Sequence, residues 1–270
     1  MLVQAAAPDP ARTAERADAA TLCPVCGSHR ASPWHRHRDM VLCRCSDCAL
    51  VFLDPPPAPA ARTALYTDAY AGASTSYFAK RERKLKRSRA RVGLMLRQLG
   101  RGADGLAFLD VGANGGFMAE AARQAGFTVT GIEPDPVSVA YARHNFPGID
   151  FVHGFLEQID LAAAAFDLAY CSEVIEHSGD CNRFVAALAR ALKPGGLLYL
   201  TTPDISHWRR PRDLLRWDAF CPPAHCLYFS PSNLTLLLAR HGLTVSRRQF
   251  AWKPGIKLFA VKSTLGLDRS

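Results

Sequence analysis

Two pairs of cysteines near the start of the chain have the spacing of a metal site. Cys23 and Cys26 form one C-x-x-C pair, Cys45 and Cys48 form a second, and 18 residues separate the pairs. A tight turn lets both thiolates of such a pair face one point, so two pairs can complete a tetrahedron around Zn²⁺ with Zn–S bonds of about 2.3 Å. We therefore expect residues 21–53 to form a small zinc ribbon.

Other potential ligands lie close to these four cysteines. Cys43 would make only a C-x₄-C pair with Cys48, and His29, His35 and His37 are further candidates. The chain has nine cysteines, an odd count that argues against a disulfide framework, although a redox pair or free thiols would also explain the cluster. Four thiolates leave no open coordination position, so we expect a structural rather than catalytic metal.

A glycine-rich turn is the second feature that points to chemistry. The segment LDVGANGG at 109–116 follows a predicted strand, and Glu133 ends the next predicted strand. Gly112 permits a tight turn, and Gly116 lets a helix and the backbone approach a ligand closely. A carboxylate at the position of Glu133 can accept both hydroxyls of a ribose. The unit predicts an adenosine-containing cofactor.

The details of this turn separate two cofactor classes. The dinucleotide pattern G-x-G-x-x-G fails, because Asn114 and Phe117 replace its second and third glycines. Asp110 instead gives the D-x-G-x-x-x-G arrangement of S-adenosylmethionine (SAM) sites. With FDLAYCSEVIEH at 166–177 and LKPGGLLYLTTPD at 192–204, the chain resembles class I SAM-dependent methyltransferases over about residues 102–262.

The segment WDAFCPPAHCLYFS at 217–230 is similar to a bacterial subgroup with an N-terminal CPxCG…CxxC ribbon and a Pro-rich linker. The resemblance implies roles for ten residues. Asp110, Gly112, Ala113, Asn114 and Gly116 would border the methionyl part of SAM, Glu133 would hold the ribose, Phe155 and Leu156 would flank adenine, and Cys171 and Ser172 would lie beneath the sulfonium. Asn114 departs from the usual small residue, and the chain stops soon after its last predicted strand.

Two histidines are candidates for a general base. His177 follows the predicted fourth strand, and His225 lies in an insertion at 205–229. Each has a suitable unperturbed pKa, although either could simply bond to a loop backbone. Glu173, Glu176 and His177 also form an E-x-x-E-H pattern. This pattern resembles that of ubiquinone-pathway and plant small-RNA methyltransferases, which use a divalent cation there, and of relatives that use none.

The periodicity after residue 100 predicts alternating strands and helices, and hence an α/β fold with a doubly wound, mainly parallel seven-stranded sheet. The resemblance implies that the last strand is antiparallel. We predict strands at 106–111, 127–132, 150–153, 166–171, 196–202, 243–249 and 257–262, and helices at 116–125, 136–145, 180–192 and 231–241. The predicted units are a disordered tail at 1–20, the ribbon at 21–53, a Pro-rich linker with a basic helix at 54–101, and a SAM-binding domain at 102–270.

The net charge of +9 is concentrated in one segment. Residues 80–101 hold ten of the 33 basic residues and one of the 24 acidic residues. Apolar residues at helical spacing predict a helix over 78–100 that docks along one narrow edge. They are Leu85, Val92, Met95 and Leu99. The cations of this helix form either a solvated face or a patch for an anionic substrate.

A second basic cluster lies in the predicted insertion, where tryptophans flank arginines. Its members are Trp208, Arg209, Arg210, Arg212, Arg216 and Trp217. Aromatic rings among guanidiniums can stack on a base or sugar and pair with phosphate, whereas an ordinary surface loop would have the same composition.

The function predicted from these features is SAM-dependent methylation of oxygen or nitrogen in a small molecule, such as a sugar, nucleotide-sugar or secondary metabolite. The alternatives are RNA methylation through the ribbon and basic helix, and a non-catalytic SAM-binding scaffold. No apolar run is long enough to span a bilayer and residues 1–20 lack the core of a signal peptide, so we expect a cytoplasmic protein.

Overall fold

The structure is a computed structural model that describes residues 21–58, 61–65 and 78–264. The predicted tail at 1–20, part of the linker and residues 265–270 lie outside the described residues. The strands are β1 (Ala31–His37), β2 (Met40–Cys45), β3 (Val51–Leu53), β4 (Ala107–Val111), β5 (Thr128–Glu133), β6 (Asp150–His153), β7 (Phe166–Ser172), β8 (Leu192–Thr202), β9 (Leu227–Tyr228), β10 (Leu243–Arg248) and β11 (Ile256–Lys262). The α-helices are α1 (Arg81–Leu99), α2 (Phe117–Gln124), α3 (Pro136–Asn145), α4 (Cys181–Ala191) and α5 (Pro231–Arg240).

The central sheet has seven strands in the order β6-β5-β4-β7-β8-β11-β10. Neighbouring strands from β6 to β8 are parallel, whereas β11 is antiparallel to both β8 and β10. The predicted fold class, including the antiparallel last strand, is confirmed. Since the chain order reverses between β4 and β7, the carboxyl ends of these two strands form the switch point where such sheets bind ligands.

Local sequence signals place the helix starts. Asp135 caps α3 by accepting backbone N–H bonds from Val137 and Ser138, and Pro136 fills the first turn. Most predicted ends lie within two residues of those observed. Two starts differ by more: α1 begins at Arg81 instead of 78, and β8 begins at Leu192 instead of 196. The prediction treated Lys193–Gly196 as a turn, but the structure includes these residues in the strand. The register of pairing between β8 and β7 shifts at this point.

The ribbon segment, residues 21–53, shares a sheet with the larger domain. Its three strands continue into β9 in the order β1-β2-β3-β9, and the Leu53 N–H donates to the Cys226 carbonyl over 2.8 Å. Asn182 donates to the Pro24 carbonyl over 2.6 Å, and Asn233 donates to the Cys48 carbonyl over 3.2 Å. The ribbon segment is therefore packed against β9 and the first turns of α4 and α5 rather than joined only by the linker.

The basic helix α1 packs along one edge, as its apolar residues predict. Leu85, Val92 and Met95 are buried beside α2 and the sheet, and Leu99 is partly buried at the end of the same stripe. Burial of this apolar edge sets the rotation of α1 about its axis, and the rotation determines which of its cations face the carboxyl ends of the strands. None of the helices in the described ranges has the length and apolarity needed to cross a membrane.

Candidate active site

A cavity of about 610 Å³ lies at the carboxyl ends of β4, β5 and β7, with α1 along one side. Its volume is within the range of small-molecule sites. Eight of the ten predicted cofactor residues line it. They are Asp110, Gly112, Ala113, Asn114, Glu133, Phe155, Leu156 and Ser172.

The turn after β4 has the conformation that its glycines predict. Gly112 has φ +74°, and an added Cβ would lie 2.5 Å from Val174 Cγ2. Gly116 has φ +79°, and its Cβ would lie 2.7 Å from Phe151 Cζ. Asn114 also has a positive φ of 48°, a conformation that asparagine tolerates better than most residues. The departure from a small residue at Asn114 is therefore compatible with the turn.

Glu133 lies at the end of β5 with its carboxylate held by backbone donors. Oε2 accepts the Asn114 N–H over 2.7 Å, and Oε1 accepts the Asp135 N–H over 2.9 Å. The residue is 4% exposed, and burial raises the pKa of its carboxyl to about 7. Because Asp135 itself caps α3, Glu133 is not the helix cap, and its remaining lone pairs can face the cavity.

Asp110 is the second buried carboxylate of the cavity. Its Oδ2 accepts the Ala119 N–H over 3.0 Å, whereas its Oδ1 is buried with no hydrogen-bond partner among the described residues. Burial, with the nearby charge of Glu133, raises the pKa of this carboxyl to about 7. A buried oxygen of this kind favours a ligand that brings a cation or a hydrogen-bond donor.

Among the described residues, three that were predicted for the site lie outside the lining of this cavity: Gly116, Cys171 and His225. Gly116 packs on Phe151 at the start of α2. Cys171 is fully buried in β7, where its side chain and that of Ser172 point to opposite faces of the strand. His225 lies directly behind His177, and the ring centroids are 4.5 Å apart.

The two histidines and Glu176 form one cluster beside the cavity. His177 lines the cavity, and its Nδ1 is 2.8 Å from the Ala224 carbonyl; Nδ1 of His225 is 2.8 Å from the Ala219 carbonyl. Each carbonyl fixes the proton on Nδ1, which leaves the lone pair on Nε2. Burial, and to a smaller extent electrostatic repulsion from His225, lowers the pKa of His177 to about 4, so this ring is neutral at pH 7.

Glu176 completes a set of donors that could hold a metal ion. A carboxylate oxygen of Glu176 and a ring nitrogen of each histidine lie within 4.8 Å of one another. Oε2 of Glu176 accepts from the Thr202 hydroxyl over 2.9 Å, and Oε1 is buried with no partner in the described ranges. The sequence pattern placed Glu173 in this group, but Glu173 instead accepts the Thr201 hydroxyl over 2.8 Å and lines the cavity.

Three cations of α1 also line the cavity, at one-turn spacing: Lys84, Arg87 and Arg91. The sequence left two alternatives for the charges of this helix, and the structure places these three on the cavity side. Their i, i+3 and i+7 spacing in the sequence indicates that they share one face of the helix. Arg62 also lines the cavity, but it lies before α1 and no spacing in the sequence indicates this position. Its guanidinium lies 4.2 Å from the centre of the Phe155 ring and 2.6 Å from Glu157.

The four predicted metal-site cysteines come together away from this cavity. Sγ of Cys23 is 3.5 Å from that of Cys48, and Sγ of Cys26 is 3.5 Å from that of Cys45. Zn–S bonds of about 2.3 Å place tetrahedral thiolates about 3.8 Å apart, so the donor set fits zinc. Cys43 and the three nearby histidines are not part of the four-sulfur group.

The turns that carry these cysteines have matching backbone geometry. Gly27 and Ala49 each follow a C-x-x-C pair, and both have a positive φ, 73° and 58°. Each donates its N–H to the carbonyl of the first cysteine of its pair, over 2.9 Å and 3.0 Å. The two turns are therefore equivalent, although the sequence offers glycine in only one of them.

Comparison with known proteins assigns the larger domain. A family model described as a methyltransferase domain matches residues 77–247, more than half of the chain. The chain belongs to the methyltransferase family. Its sheet order agrees with the fold that the resemblance to class I SAM-dependent methyltransferases implied.

Curated relatives share part of the chain. A protein of Mycolicibacterium smegmatis, named a probable SAM-dependent methyltransferase, is 31% identical over 137 residues, which are 51% of each chain. A ubiquinone biosynthesis O-methyltransferase of Methylobacterium nodulans is 29% identical over 161 residues, 53% of this chain and 61% of that protein. The chain thus spans half to three-fifths of the length of these relatives.

Solved structures support the fold. The 1,6-didemethyltoxoflavin N1-methyltransferase of Burkholderia thailandensis, solved with its acceptor and S-adenosylhomocysteine, has a TM-score of 0.56 at 18% identity, and the match covers 86% of this chain and all of that one. Magnesium protoporphyrin IX methyltransferase of Synechocystis has a TM-score of 0.57 at 16% identity, with 74% of this chain and 99% of that chain covered.

Proposed function

We propose that the protein transfers the methyl group of SAM to an oxygen or nitrogen atom of a small molecule, such as a sugar, nucleotide-sugar or secondary metabolite. The observation that carries this proposal is one cavity that combines Asp110, the Gly112 turn and Glu133 with His177. The names of two proteins compared above, the ubiquinone biosynthesis O-methyltransferase and the 1,6-didemethyltoxoflavin N1-methyltransferase, refer to small molecules, which agrees with this class of acceptor.

The carboxylates of the cavity match the polar groups of SAM. Glu133 would accept the ribose hydroxyls, and the backbone N–H groups that hold its carboxylate support this role. The unpartnered Oδ1 of Asp110 suits the ammonium group of the methionyl part. Phe155 and Leu156 would flank adenine. Ser172 would lie near the sulfonium, whereas a role for Cys171 would have to act through its backbone.

When bound, SAM supplies an electrophilic methyl group, so the protein must mainly align the acceptor atom with it and exclude water. His177 would accept a hydrogen bond from the acceptor hydroxyl or amine at Nε2, since Nδ1 donates to Ala224. With a pKa of about 4, the ring stays neutral and works as an orienting acceptor and weak base. His225 would hold the His177 ring in place through their edge-on contact.

The same cluster favours a second mechanism, in which a divalent cation binds Glu176, His177 and His225. Both rings direct their Nδ1 protons at carbonyls, which is how metal-binding histidines are usually oriented. The cation would hold an acceptor oxygen and favour its deprotonation. Treatment with EDTA followed by Mg²⁺ or Mn²⁺ distinguishes the two mechanisms in protein that still holds its ribbon zinc by elemental analysis. The first mechanism predicts unchanged turnover, and the second predicts loss and recovery.

We further propose that Cys23, Cys26, Cys45 and Cys48 hold a structural zinc ion. Two sulfur pairs at 3.5 Å, with all four sulfurs within 4.8 Å of one another, support this, as do the two equivalent turns. The ion would rigidify the ribbon segment and thereby support β9. It has no step in methyl transfer, because a closed tetrathiolate leaves no position for substrate.

The test is methyl transfer from labelled SAM by the purified protein to a panel of sugars, nucleotide-sugars, phenols and amines, with cellular RNA as a separate arm. We expect label in at least one small molecule and none in RNA. Label in RNA alone would assign the other substrate class. Slow SAM hydrolysis without any labelled acceptor would favour a binding scaffold.

A further inference from the structure

A second cleft lies on the far side of Arg91 from the cofactor cavity. Arg91 lines both, so its side chain forms the partition between them. The second cleft has a volume of about 480 Å³ and lies between α1 and the ends of β10 and β11. The second cleft and the cofactor cavity are therefore neighbours that meet at this side chain.

Every charged side chain that lines the second cleft is cationic: Arg91, Arg247, Arg248 and Lys257. The three arginines donate to neutral groups, namely the Tyr170 hydroxyl, the Gln98 carbonyl and the Thr235 hydroxyl. None of the four takes part in an ion pair within the described part of the chain. Four clustered cations without carboxylate partners favour an anion with more than one negative charge.

An aromatic cluster continues from the edge of this cleft. Phe250 lines the cleft and is 75% exposed, and its ring lies 6.2 Å from that of Trp252. Trp208 lies 6.3 Å from Trp252, and Arg209 stacks over both indoles at 5.2 Å and 4.2 Å. Exposed aromatic rings beside cations bind planar rings by stacking.

We propose that the second cleft binds a nucleoside diphosphate group carried by the methyl acceptor. Its phosphates would lie among Arg91, Arg247, Arg248 and Lys257, and its base would stack on Phe250 or Trp252. This inference rests on the proposed small-molecule activity and specifies the acceptor. One cluster of cations beside one aromatic cluster matches a single charged group and a single ring, whereas a nucleic acid strand would be matched by a repeated pattern.

The test uses the full-length protein saturated with S-adenosylhomocysteine, so that nucleotides cannot enter the adenosine site. Calorimetry then measures binding of UDP, pyrophosphate and a ten-nucleotide oligouridylate. We expect UDP to bind. Replacing both Arg247 and Arg248 with alanine should weaken it about tenfold or more, and Phe250→Ala should weaken UDP but not pyrophosphate.

Arg89→Ala is the matched control, because Arg89 is an exposed arginine of α1 that donates to Gln124 and does not line either cavity. Its UDP affinity should equal that of the unmodified protein. The inference is overturned if UDP does not bind or if the double variant binds it normally while S-adenosylhomocysteine still binds. Much tighter, steeply salt-dependent binding of the oligouridylate would overturn it in favour of RNA. Failure of S-adenosylhomocysteine itself to bind would instead refute the proposed function.

Discussion

Replacing Glu133 with alanine tests the cofactor site at its most specific contact. A carboxylate that accepts two ribose hydroxyls in a buried cleft makes charge-assisted hydrogen bonds. Their loss should cost about 2–4 kcal/mol of binding free energy, which corresponds to a weakening of SAM by roughly 30- to 1,000-fold. Isothermal titration calorimetry at pH 8 measures this directly.

The same change should have a smaller effect on stability, for two opposing reasons. Removing the carboxylate leaves the N–H groups of Asn114 and Asp135 without their acceptor, at a cost of about 1–3 kcal/mol each. It also removes a carboxyl whose pKa burial raises from 4.5 to about 7, which destabilises the ionised protein by roughly 3 kcal/mol. We expect these effects to cancel within about 2 kcal/mol at pH 8.

The pH dependence of this stability difference has a defined sign. Because the pKa of Glu133 is raised on folding, its unfavourable contribution is absent below about pH 4.5 and complete above about pH 7. The variant should therefore gain stability relative to the unmodified protein as the pH rises from 5 to 8. Glu120→Ala is the control, since Glu120 is equally buried but pairs with Arg123 outside the cavity. SAM affinity within about threefold of normal in Glu133→Ala would refute the reasoning.

Three further predictions follow from the same geometry. Cys26→Ser should lose the single zinc ion of each chain and lower the melting temperature, whereas Cys43→Ser should keep the metal, as elemental analysis will show. Asp110→Asn should weaken SAM yet raise the unfolding free energy at pH 8 in denaturant titrations, because burial raises the pKa of Asp110 to about 7 and its charge destabilises the empty site. His177→Gln should lower kcat about 100-fold with little change in SAM affinity, and kcat of the unmodified protein should stay flat from pH 6 to 9, because the ring remains neutral there.

The parts of the site that the sequence predicts are local in the chain. Asp110, Gly112 and Glu133 belong to one strand-turn-helix-strand unit. Its turn requires a positive φ and leaves no room for a Cβ at Gly112, so few residues other than glycine fit there and the pattern indicates the geometry. The same holds for Cys23 and Cys26, where a tight turn alone brings two sulfurs together. Parallel pairing then places the ends of β4 and β7 side by side without further information.

The parts that the sequence does not predict depend on packing between distant segments. Periodicity shows that α1 docks along one edge, but only its position on the sheet makes Arg91 a partition between two clefts. The error at Cys171 has a different origin, because alternation along β7 is a local signal that turns Cys171 away from the cavity while Ser172 lines it. Pairing of β3 with β9 requires two segments about 170 residues apart, and nothing in either short strand specifies its partner.

The central claim is that the cavity at the ends of β4, β5 and β7 binds SAM. Titration of the purified, zinc-loaded protein with SAM in a calorimeter at pH 8 tests it most directly. We predict saturable binding of about one SAM per chain, with an affinity that weakens as the pH falls from 8 to 6 and the carboxyls of Asp110 and Glu133 take up protons. Absence of binding at millimolar SAM, from a protein shown to be folded, would contradict the account.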